Sequence, residues 1–237
     1  MEIDGVLLID KPQGKTSHDL VDFVRRKFNF KKVGHCGTLD PMATGLLILV
    51  LGKATKIQDL LMNEEKVYSG TMKLGQNTDS QDADGQITQE HPVPPLTQED
   101  FLKVMQEFSG DFYQTPPMYS AVKIDGVPLY KLARAGKEIA REPRLVHIFH
   151  HKITQWNLPQ ISFEIICSKG FYVRTYCYDI GQKIGCGAHL TQLARLKSGN
   201  FNLDRALTWD HLQALRTVDD LRSSILSLPE VSQMRRQ

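Results

Sequence analysis

Apolar residues recur along the chain at two spacings, and the spacings predict its elements. Gly5–Asp10 is an apolar run closed by the turn Lys11-Pro12-Gln13-Gly14, which predicts a short buried strand. Ser17 is expected as an N-cap, and Leu20, Val21, Val24 and Phe28 share one face of the helix behind it. Leu46–Leu51 predicts a fully buried strand, and a helix is expected from Ala54 to Leu61. Val67–Leu74 alternates, putting Tyr68, Gly70, Met72 and Leu74 on one side. Thr97 caps a helix carrying Phe101, Met105 and Phe108, and Ile161, Phe163, Ile165 and Cys167 alternate as a half-buried strand. Helices are expected near 175–184, 188–196, 209–216 and 218–226. Strands and helices mix without a βαβ rhythm, so the class is α+β.

Two segments escape these periods. Residues 31–45 are glycine-rich and lie between strongly patterned elements, which marks a structured loop where functional groups sit on a rigid scaffold. Residues 113–144 are rich in turns, with Pro116-Pro117, Asp125-Gly126 and a short helix near Leu129–Ala135, and read as an insertion projecting from the core.

Net charge sharpens the second of these. The overall value of +2 conceals 3 basic and 9 acidic residues over 61–110 and 12 and 6 over 111–200. Lys123, Lys131, Arg134, Lys137, Arg141, Arg144 and Lys152, with His147, His150 and His151, crowd residues 114–152. Such a surface suits a polyanion, because neutralised phosphates release counterions, though a solvated face has the same composition. The longest apolar run has six residues, far short of the ~20 of a membrane helix. The acidic opening Met1-Glu2-Ile3-Asp4 does not resemble a secretory signal, and the four cysteines contain no C-x-x-C pair, so a cytoplasmic protein with reduced thiols is expected.

Cofactor motifs fail on inspection. Gly52-Lys53 lacks the first glycine and the Ser/Thr of a phosphate-binding loop, and Gly185–Leu190 lacks the third glycine of a dinucleotide fingerprint. Asp82-x-Asp84-Gly85 resembles part of a calcium loop, but Ser80 and His91 occupy its first and twelfth positions. No metal site and no cofactor are expected. Within the first loop, an Asp between a glycine-rich turn and a buried strand is either a plain turn residue or a carboxylate held for chemistry.

That loop, Gly34-His35-x-Gly37-Thr38-Leu39-Asp40-Pro41-x-Ala43-Thr44-Gly45, resembles the catalytic loop of TruB-type tRNA pseudouridine synthases. Five further stretches resemble the family in order. They are G-V-L-L-I-D-K-P-Q-G-K-T-S from Gly5, G-K-A-T-K at 52–56, K-V-Y at 66–68, S-K-G-F-Y-V-R-T at 168–175 and G-C-G-A-H-L-T-Q-L-A-R-L at 185–196. The resemblance covers about residues 3–210. It implies a mixed, largely antiparallel central sheet flanked by helices. It also implies isomerisation of uridine 55 in the TΨC arm of tRNA, on a flipped-out base and without a cofactor.

By the same resemblance Asp40 is the catalytic carboxylate, attacking a carbon or removing a sugar proton, and Arg174 pairs with it. Tyr68 stacks on the flipped uracil, where neighbouring Gly70 leaves room, and Tyr172 and Leu193 line the pocket. His35 helps displace the nucleotide from its stack. Lys11, Lys15, Lys31 and Lys32 are candidates for RNA phosphates. The insertion at 113–144, with Lys131, Arg134 and Lys137, corresponds to the family's thumb. A single catalytic domain over 1–237 is expected, without the small C-terminal RNA-binding (PUA-type) domain of many bacterial relatives. The partner is tRNA, with no membrane and no obligatory protein subunit, so a monomer is expected. A tRNA-folding chaperone, or the same isomerisation on another stem-loop RNA, remains open.

Overall fold

The computed structural model describes residues 3–235, so the outermost residues of the acidic opening and of the tail Met234–Gln237 lie outside the described residues. The first apolar run forms β1 (Gly5–Lys11). Helix α1 (Ser17–Lys27) is capped by Thr16, not Ser17: the Thr16 hydroxyl accepts from the Asp19 N–H and the Asp19 carboxylate accepts from the Thr16 N–H. This reciprocal box leaves Ser17 as the first helical residue, with its hydroxyl turned inward. The glycine-rich segment contains a short strand, β2 (Val33–Cys36), before β3 (Thr44–Leu51). The helix expected over 54–61 is instead a 3₁₀ segment (Gly52–Ile57) followed by α2 (Gln58–Met62).

Then come β4 (Lys66–Leu74), β5 (Gln76–Thr78), β6 (Ile87–Glu90), α3 (Gln98–Gln106) and β7 (Gly110–Gln114). The basic segment holds the hairpin β8 (Lys123–Ile124) and β9 (Val127–Pro128), and then α4 (Leu129–Arg134). Long strands β10 (Arg144–Asn157) and β11 (Gln160–Cys167) precede α5 (Val173–Ile184). Residues 188–196, expected as a helix, form part of strand β12 (Ala188–Ser198). The chain closes with β13 (Phe201–Asn202), α6 (Trp209–Ala214), α7 (Val218–Arg222), β14 (Ile225–Leu226) and α8 (Leu228–Met234). The helix expected over 218–226 therefore stops at Arg222 and is followed by a turn and the two-residue strand β14.

The chain divides into two compact units, one containing residues up to Tyr68 and from Ala194, the other Ser69–Leu193. In the first, β3 pairs antiparallel with β1 and β2 and parallel with β12 through Ala194–Thr44 and Arg195–Gly45. β3 is an interior strand, and residues 46–51 are all buried, so both of its faces are covered and its apolar run is unbroken. Val6, Leu8, Leu46, Ile48 and Val50 pack there with Phe201 and Val231.

In the second unit β11 pairs antiparallel with β10, and β10 with β7. Helix α5 is seated by Tyr176, whose ring meets Phe108, Phe163 and Phe171 at centroid distances of 5.7, 5.9 and 5.7 Å. On β4 the residues from Lys66 to Leu74 alternate buried and half-buried, as the sequence predicts. The room beside Gly70 is not open, however. A Cβ there would lie 2.8 Å from the Phe163 ring, so the glycine admits a core aromatic. The architecture is α+β with a largely antiparallel sheet and flanking helices. No helix is long and apolar enough to cross a membrane among the described residues.

Candidate active site

Asp40 lies on the loop between β2 and β3, and four residues hold that loop's backbone. The Ser17 hydroxyl accepts from the Leu39 N–H at 2.8 Å and donates to the Leu39 carbonyl at 3.2 Å. The Gly14 N–H donates to the Pro41 carbonyl at 2.8 Å. The ammonium of fully buried Lys11 donates to the carbonyls of Lys15, Pro12 and Pro41 at 2.6, 3.0 and 3.3 Å. Buried Arg195 donates from Nε to the Leu46 carbonyl at 2.7 Å and from a terminal nitrogen to the Gly37 carbonyl at 3.2 Å.

Glycine is required where β12 meets this loop. Gly45 has φ of +95°, and a Cβ on it would lie 2.4 Å from the Arg195 carbonyl oxygen. Leu39, Met42 and Ala43 are buried, whereas Asp40 is half-buried and Pro41 exposed. The apolar side chains thus anchor the loop on either side of a carboxylate that reaches its surface. His35, opposite Leu49 on β2, has an enclosed Nδ1 with no hydrogen-bond partner among the described residues. Burial first, and then the Arg195 guanidinium, lower its pKa, so the imidazole is neutral at pH 7. Tyr68 is buried on β4 in this same unit.

The other three predicted pocket residues belong to the second unit. Arg174, in the first turn of α5, is 3% exposed. Its guanidinium donates to the carbonyls of Ser80 at 2.8 Å and Tyr119 at 2.7 Å, and its Nε stands 3.5 Å from the Asp82 carboxylate. Asp82 is itself oriented by the Ser80 hydroxyl and the Asp84 N–H. A buried cation held from three segments keeps one direction.

Tyr172 is the N-cap residue of α5, and a buried amide holds its backbone. The Tyr172 N–H donates to Gln114 Oε1 at 2.8 Å, and Gln114 Nε2 donates back to the Tyr172 carbonyl at 3.1 Å. Leu193 is buried on strand β12, not on a helix.

The candidate RNA-binding lysines divide. Lys11 is a buried strut, Lys15 lies 5.0 Å above the Trp209 ring, and Lys31 and Lys32 are exposed. Lys131, Arg134 and Lys137 are exposed, with Arg134 over the Tyr130 ring at 5.5 Å. Sequence reasoning missed Ser17, Asp82, Gln114 and Arg195 as supports of the site. Arg195 lies within the family-like stretch 185–196, and the spacing of Asp82, Asp84 and Gly85 suggests only part of a calcium loop. No group of three or more His, Cys, Asp or Glu side chains is placed to hold a metal ion among the described residues.

Comparison with known proteins places these residues in context. A family model described as the N-terminal domain of TruB family pseudouridylate synthase matches residues 25–173. A second, described as the tRNA pseudouridylate synthase B C-terminal domain, matches 174–231. The chain is 55% identical to tRNA pseudouridine synthase B of Opitutus terrae, over 90% of this chain and 89% of that one. It is 48% identical to the protein of the same name from Syntrophotalea carbinolica, over 96% and 74%. Among solved structures, a chain of a Cbf5-Nop10-Gar1 complex superposes with a TM-score of 0.72 at 26% identity, covering 97% of this chain. This chain spans 62% of the length of that one.

Proposed function

Because the chain belongs to the TruB family of pseudouridylate synthases, we propose that it isomerises uridine 55 in the TΨC arm of tRNA to pseudouridine. The N1–C1′ bond breaks, a C5–C1′ bond forms, C5 loses its proton and N1 regains one. No electrons are exchanged, and the reaction needs no cofactor. The relatives' shared name, tRNA pseudouridine synthase B, supports tRNA as substrate.

The observation that carries the reading is the fixed loop around Asp40. Its carboxylate stands on a backbone gripped by Ser17, Lys11 and Arg195, the pre-positioning that attack on a sugar or ring carbon, or removal of a sugar proton, demands. We assign Arg174 as the guanidinium that pairs with this carboxylate, and its hold by Ser80, Asp82 and Tyr119 supports that role. Tyr68, Tyr172 and Leu193 enclose the flipped uracil, and neutral His35 fills the place the nucleotide vacates. The exposed bases Lys31, Lys32, Lys131, Arg134 and Lys137 contact the RNA backbone, with 113–144 acting as the thumb. The protein acts as a cytoplasmic monomer.

The test uses tRNA tritiated at uracil C5, incubated in EDTA with wild type and Asp40→Asn. Wild type releases label from position 55 and the variant does not. Equal release by the variant removes Asp40 from the chemistry.

A further inference from the structure

Three segments of the second unit turn alternate residues in two directions. Ser80, Asp82 and Tyr119 grip Arg174. Their neighbours Asp79, Gln81 and Met118, with Thr175 next to Arg174, line a cavity of about 460 Å³. That volume lies in the range of small-ligand sites.

Two charged groups in the cavity wall lack the partners their chemistry calls for. Asp179, one turn beyond Thr175 on α5, makes no hydrogen bond or ion pair among the described residues. Burial pushes its carboxyl up to about 6. Arg141 has an enclosed Nε without an acceptor, while its terminal nitrogen reaches Glu138 at 3.4 Å. A protein does not bury both groups without cost, and a ligand offering a donor to one and an acceptor to the other relieves it.

We propose that this cavity is a subsite for a second nucleobase of the bound RNA, one that presents an exocyclic amino group to Asp179. The inference rests on RNA being the substrate. An ionised carboxylate only accepts hydrogen bonds, and among bases it pairs with amino groups, as acidic side chains do with cytosine N4. Adenine, cytosine and guanine carry such a group and uracil does not. The Arg141 guanidinium, part of the same wall, supplies a donor for a ring nitrogen or carbonyl of that base. Pro116, Pro117 and Met118 provide apolar surface for its flat face.

Charge decides between a base and a phosphate. Asp79, Glu138 and Asp179 line the wall against Arg141 alone, so the interior repels an anion. Position supports a neighbouring nucleotide. The cavity's lining includes Thr175, the residue after Arg174, which the proposed reaction sets beside the uridine.

The experiment titrates CMP, AMP, GMP and UMP separately into the full chain at pH 7.5. Binding is followed through the amide NMR signals of Gln81, Thr88 and Thr175–Asp179. The three amino-bearing nucleotides shift these signals with a Kd about tenfold below that of UMP. Asp179→Asn abolishes the preference, and Arg141→Gln weakens every amino-bearing nucleotide. Because Arg141 is not part of a helix or strand, its variant gives a second reading of the same cavity independent of α5. Equal binding of UMP, or no shift with any nucleotide at millimolar concentration, overturns the subsite. Isomerisation of tRNA is assayed on the same preparations. A protein with the nucleotide preference but no isomerase activity refutes the proposed reaction and leaves the subsite standing. An active isomerase without the preference refutes the subsite alone.

Discussion

Thr16 and Ser17 are adjacent hydroxyl residues with different duties, and replacing each by alanine separates them. Thr16 caps α1 at the surface, so Thr16→Ala costs about 1 kcal/mol of stability, the usual value for a lost N-cap. Ser17 is buried and bonds both polar groups of the Leu39 backbone. Ser17→Ala leaves the Leu39 N–H and carbonyl in an apolar setting without that partner, at about 1–3 kcal/mol for the abandoned groups. The two variants therefore lose comparable stability, measurable as shifts in the urea midpoint. Their effects on catalysis diverge. Leu39 precedes Asp40, and a displacement of ~1 Å in a catalytic group lowers rates by about 100-fold. Under single-turnover conditions Ser17→Ala releases tritium from labelled tRNA about 10–100-fold more slowly than wild type, while Thr16→Ala stays within about twofold. If both variants lose rate in proportion to stability, or Ser17→Ala matches wild type, the Ser17 hydroxyl does not position Asp40.

Gly45→Ala places a Cβ against Arg195 backbone atoms at 2.4 and 2.8 Å, which cannot move without breaking the β3–β12 pairing. It should cost about 3 kcal/mol or more in chemical denaturation, whereas Gly14→Ala, with φ +83° but open space around it, should cost about 1 kcal/mol of backbone strain. Comparable losses for the two would show that β12 does not clamp the loop. Asp179 gives a pH signature. Its folded pKa near 6 exceeds the ordinary 3.8, so its stabilising contribution is present below pH 3.8 and lost as pH rises through 6. Asp179→Asn should therefore raise the melting temperature at pH 8 by more than at pH 5, and an equal change at both would contradict the burial argument.

Much of this fold is legible because its patterns are local. β4 and β11 have one buried face each and alternate cleanly, and α1 repeats its apolar residues at helical spacing. β12 is misread for a physical reason. Ala188, His189 and Leu190 at its start are buried in succession, so both faces are covered there and period two disappears. Leu190, Leu193 and Leu196, three apart, then fit a helix equally well. Thr16 and Ser17 are both good caps, and only the inward hydrogen bond to Leu39 distinguishes them. The loop that carries Asp40 stands out in the sequence through its motif, but the groups that hold it do not. Arg195 grips Gly37 and Leu46 across 158 and 149 residues of sequence, beyond any local pattern. Asp82 in isolation looks like a turn residue, and only the folded chain brings it to Arg174.

That long reach has a consequence for synthesis. A ribosome makes Asp40 early and Arg195 late, with Lys11, Gly14 and Ser17 already emerged. A nascent chain that has not yet released Arg195 has no guanidinium to draw Gly37 and Leu46 together and no parallel strand against Gly45. Such a fragment carries Asp40 on a loop that lacks two of its backbone clamps. The loop's last clamp therefore forms only after the strand holding Arg195 has been made and has paired with Thr44 and Gly45.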